Sequence, residues 1–62
     1  MKNELRMLCG IKEICRYVGM SRPTVMKWIE NDGLPVAKIN GKWTICVDDV
    51  NAWVMEKMQG GH

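Results

Sequence analysis

Sixty-two residues with nine Lys/Arg, seven Asp/Glu and a net charge of +2 allow one domain around one small core. A chain this short buries only about 60% of its unfolded surface, so each of its three tryptophans matters to the core. Its three cysteines are an odd number without C-x-x-C spacing, which indicates neither a disulfide framework nor a zinc site and fits reduced thiols in the cytoplasm. There is no apolar run of membrane-spanning length and no signal-peptide core, so no membrane association is expected. The charge is unevenly spread. Residues 1–30 carry six basic side chains against three acidic, 31–47 carry two against one, and 48–62 carry one against three. The basic side thus belongs to the first half, as suits a surface presented to a polyanion.

Residues 1–7 read as a lead-in, with Leu8 packing against the first helix. Gly10 stands as an N-cap, and Glu13 three residues on can reach back to the cap N–H. Ile11, Ile14, Cys15 and Val18 then fall on one helical face, with Lys12, Glu13 and Arg16 facing water. Cys15 is the small residue of that stripe, an inert thiol where two helices approach. Gly19 ends the helix, and Ser21 is placed to cap a second one, its hydroxyl accepting from the Thr24 N–H. Pro23 suits the first turn, and Val25, Trp28 and Ile29 form the apolar face opposite Pro23, Lys27 and Glu30. Two helices joined through a short Gly-containing turn are a helix-turn-helix, whose second helix enters the major groove of DNA.

Asn31-Asp32-Gly33 stops the second helix, and Leu34-Pro35 cannot continue it. Val36–Ile39 and Trp43–Val47 are β-like runs around Asn40-Gly41, a strong hairpin signal. A three-residue loop, Asn40 to Lys42, would pair Ile39 with Trp43 and keep Ala37, Ile39, Trp43, Ile45 and Val47 on one face; that register is expected. Asp48-Asp49 reads as the cap of a third helix beginning near Val50, with Val50, Trp53, Val54 and Met58 as its stripe and residues 59–62 as a frayed tail. The three tryptophans lie on apolar stripes and are core residues rather than a base-stacking platform. No nucleophile–base pair and no metal-ligand set is present, so neither an enzyme nor a cofactor is expected. The fold class is mainly α with a small β-hairpin, a winged helix-turn-helix over residues 8–58.

Leu8-Cys9-Gly10-Ile11-Lys12-Glu13, Gly19-Met20-Ser21-Arg22-Pro23-Thr24-Val25, Gly33-Leu34-Pro35, Trp43-Thr44-Ile45 and Val50-Asn51-Ala52-Trp53 together resemble the excisionase-like group of small winged-helix proteins, related to the DNA-binding domain of MerR-type regulators. The resemblance implies binding of double-stranded DNA through the second helix and the hairpin wing, as in phage or plasmid excisionases and small prophage regulators. It also allows a protein-interaction adaptor such as a terminase small-subunit module. Gly10 stands where the group has a Thr cap, and Cys15 where it has Ala. The chain lacks the long coiled coil of full regulators, so a monomer is expected when free. An integrase, or other copies of the chain on DNA, are the partners the group suggests. The residues expected at DNA are Ser21, Arg22, Pro23, Thr24 and Lys27 on the second helix, with Lys38, Asn40 and Lys42 on the wing. Arg22 has the fork that can reach a phosphate or the O6/N7 edge of guanine.

Overall fold

The stripe of Ile11, Ile14, Cys15 and Val18 winds into helix α1 (Ile11–Val18), and Gly19 ends it in the left-handed region with φ 73°. The Gly19 and Met20 N–H groups both donate to the Cys15 carbonyl, at 2.8 and 3.2 Å, closing the helix end and turning the chain. Helix α2 (Arg22–Asn31) follows after three residues, with Pro23 in its first turn as expected. The computed structural model describes residues 6–60, so the expectations for residues 1–5 and for Gly61 and His62 lie outside the described residues. The remaining elements are strands β1 (Met7–Cys9), β2 (Ala37–Ile39) and β3 (Lys42–Cys46) and helix α3 (Val47–Gly60).

The hairpin is one part of an antiparallel sheet of order β1-β3-β2. Met7-Leu8-Cys9 pairs along β3, with Leu8 opposite Ile45, where the sequence shows only a lead-in and an apolar Leu8. Leu8 and Ile45 are both buried and join Ile14, Val25, Leu34 and Val50 in the core. The three tryptophans are half-buried against that core, with the Trp28 and Trp53 ring centroids 5.2 Å apart at 48°. Tyr17 Oη donates to Asn51 Oδ1 at 2.9 Å and ties α1 to α3. Three helices on a small three-stranded sheet make a winged helix-turn-helix fold.

The hairpin register corrects the sequence expectation. Ile39 pairs with Lys42, Lys38 with Trp43 and Ala37 with Thr44, so the loop is the two-residue Asn40-Gly41. Both loop residues have positive φ, 53° and 78°, the geometry that matches the twist of the flanking strands. Trp43 keeps the face of Ile45 and the core, and it is Ile39 that turns outward, 51% exposed. Half-exposing one isoleucine forfeits roughly 1 kcal/mol of burial, which the turn geometry outweighs.

Three cap assignments also change. Ser21 occupies the N-cap of α2, but its hydroxyl lies 3.1 Å from the Thr24 hydroxyl and makes no bond to a first-turn N–H. Glu13 Oε1 accepts from the Cys9 N–H at 3.0 Å, one residue before the expected Gly10, because the Gly10 N–H donates to the Trp43 carbonyl at 2.7 Å. Helix α3 begins at Val47, three residues earlier than expected, so Asp48 and Asp49 stand inside its first turn, where their charge still favours the helix dipole. The Val47 N–H is satisfied by the Arg6 carbonyl at 2.9 Å. Met58, expected on the apolar stripe, is 73% exposed near the end of α3, beyond the buried Val50.

Gly10 is more than a weakened cap. Its φ of 97° and ψ of 153° lie in a region essentially open to glycine alone, although a Cβ there would meet nothing within 4 Å. Gly10→Ala and Gly10→Thr are therefore both expected to lose about 1–3 kcal/mol through backbone strain. Thermal unfolding of the two variants checks this; a Gly10→Thr protein more stable than the parent would show that Thr capping outweighs the strain.

Candidate nucleic-acid interface

The buried Val25 and the half-buried Trp28 and Ile29 anchor α2 to the core and leave Arg22, Pro23 and Lys27 exposed on its other side. Ser21 is exposed and Thr24 half-buried, their hydroxyls engaged with each other. The first-turn N–H groups of α2 thus receive no cap from the Ser21 side chain and carry the positive end of the helix dipole. Four of the residues expected at DNA, Ser21 to Thr24, form one continuous turn, and Lys27 follows a turn later.

The wing residues behave differently. Asn40 is exposed at the hairpin tip. Lys38 and Lys42 flank it but project from opposite faces of the hairpin, since Lys38 pairs with Trp43 and Lys42 with Ile39. Lys38 Nζ lies 4.8 Å from the Trp43 ring centroid, a cation–π contact that steers its side chain across the indole. Lys42 is exposed, with Ile39 its neighbour across the hairpin.

One basic residue outside the expected set lies beside Arg22. Lys12, in the first turn of α1, lines a cleft of about 370 Å³ together with Ile11, Cys15 and Arg22. Its signal in the sequence is only that of a solvated helix residue. Its relation to Arg22 depends on how the two helix starts are set against each other, which periodicity cannot express. Two of the three free thiols, at Cys15 and Cys46, are half-buried, and the Cys9 thiol is exposed.

The helix pair, the wing and the exposed start of α2 define the helix-turn-helix class of protein. Residues 8–58 match the family model described as a helix-turn-helix domain, and the chain belongs to that family of small, excisionase-like DNA-binding domains. No curated protein and no solved structure matches the chain. Among the described residues, no helix is long and apolar enough to cross a membrane.

Proposed function

We propose that this protein binds double-stranded DNA sequence-specifically, as an excisionase or small transcriptional regulator of a phage, plasmid or prophage. Helix α2 enters the major groove and the β2–β3 hairpin lies on the neighbouring minor groove or backbone. The observation that carries this is the start of α2, where Arg22, Pro23 and Lys27 face water while Val25 is fully buried. Such a helix is held rigidly by one side and free to read with the other. Ser21, Thr24 and the first-turn N–H groups take a phosphate, which fixes the register of α2 in the groove. Arg22 reads a base edge, and Lys27 extends the contact by a turn. Asn40 and Lys42 meet the backbone or minor groove, and Lys38 contributes charge from its place over Trp43.

The test is a salt titration of binding to random duplex DNA. With Lys27, Lys38 and Lys42 each neutralising one phosphate, the slope of log K against log salt is expected to be roughly −3. No binding at low salt would overturn the proposal and favour an adaptor that uses the same fold to hold another protein.

A further inference from the structure

The cleft between the starts of α1 and α2 joins two cations that the chain order separates. Lys12 stands in the first turn of α1 and Arg22 opens α2, and among the described residues the others lining it are Ile11 and Cys15. None of the four carries a carboxylate, so the charge facing this space is of one sign. Both adjoining helix starts lack a side-chain cap, because Gly10 has no side chain and the Ser21 hydroxyl is taken up by Thr24. Glu13 in the first turn of α1 offsets the positive end of that helix, so the two cations and the uncapped start of α2 are what favour an anion in this small recess. At about 370 Å³ the recess has room for a phosphate group.

We propose that Lys12 is a DNA-contacting residue, and that it holds a backbone phosphodiester in this cleft beside the base step read by Arg22. This rests on the duplex-binding reading above and extends the interface from α2 onto α1. Lys12 is exposed and α1 buries Ile14 instead, so replacing Lys12 leaves the core intact. Lysine there is a point charge that grips a phosphate without reading sequence, which makes its contribution uniform over all duplexes.

The experiment compares Lys12→Gln, Lys12→Arg and, as a control for net charge, Lys57→Gln on α3, where Lys57 Nζ lies 5.3 Å from the Trp53 ring. Binding is measured on a selected site and on a scrambled duplex over a range of salt. Lys12→Gln is expected to weaken both duplexes by the same factor and to reduce the salt slope by about 0.9, with Lys12→Arg restoring it and Lys57→Gln changing the slope far less. Cys15 supplies an independent readout inside the cleft. In a Cys9→Ser, Cys46→Ser background, duplex DNA is expected to slow alkylation of Cys15, whereas inorganic phosphate at the same ionic strength is not. A Lys12→Gln protein with an unchanged slope, or equal losses from Lys57→Gln, would overturn the assignment while leaving duplex binding in place. Protection of Cys15 by inorganic phosphate alone would assign the cleft to a free anion and overturn it as well. Absence of duplex binding by the parent protein would overturn both this and the function on which it rests.

Discussion

Ile14→Ala is expected to leave this domain largely unfolded at 37 °C. Ile14 is fully buried at the centre of a core whose other members are Leu8, Val25, Leu34, Ile45 and Val50. Its helix α1 packs against β1, β3 and α2, so no single element can shift to fill the space. Removing its outer carbons loses about 2–5 kcal/mol. Domains of this size rarely have more than about 3–5 kcal/mol of stability, so the loss is of the same order as the whole. Ile14→Val, which removes one methylene, should cost only about 0.5–1.5 kcal/mol and stay folded. At roughly 4–8 °C per kcal/mol the two variants separate clearly in a thermal melt followed by circular dichroism. An Ile14→Ala protein melting within a few degrees of the parent would mean that the six buried residues do not act as one cooperative core.

Arg22→Ala and Lys42→Ala are expected to weaken DNA binding in different ways. Arg22 opens α2, exposed and fork-ended, and is the residue proposed to read a base edge. Its removal should cost about 1–3 kcal/mol and relax the preference at one base pair. Lys42 stands at the wing, and the target proposed for it is phosphate or a minor groove that distinguishes few sequences. Its removal should weaken a selected and a scrambled duplex nearly equally and lower the salt slope by about one. The hairpin register sharpens the comparison, because Lys38 rests on the Trp43 ring whereas Lys42 projects from the other face. Equal, sequence-blind losses at both positions would refute base reading by Arg22. No loss at either would remove the docking arrangement itself, since both of its anchors would be idle.

What the sequence by itself determined was everything that rests on neighbours within a few residues. The apolar stripe of α1, the stops at Gly19 and Gly33, Pro23 in the first turn of α2 and the hairpin at Asn40-Gly41 all follow from local periodicity and turn chemistry. The helix-turn-helix and the polar face of α2 were legible for that reason. Tertiary structure decided what depends on distant partners. Met7-Leu8-Cys9 is too short to show an alternation of its own and becomes a strand only because β3 offers an edge with Ile45 opposite Leu8. The hairpin register went to the local turn against the apolar pattern, because β3 could keep Trp43 and Ile45 inward while Ile39 was released to water. Glu13 accepts from Cys9 rather than Gly10 because the Gly10 N–H is drawn to the Trp43 carbonyl, thirty-three positions away in the chain. Lys12 and Arg22 likewise share a cleft only through the packing of one helix on another. Side-chain spacing along a chain carries the first kind of information, and the second exists only once the core has closed.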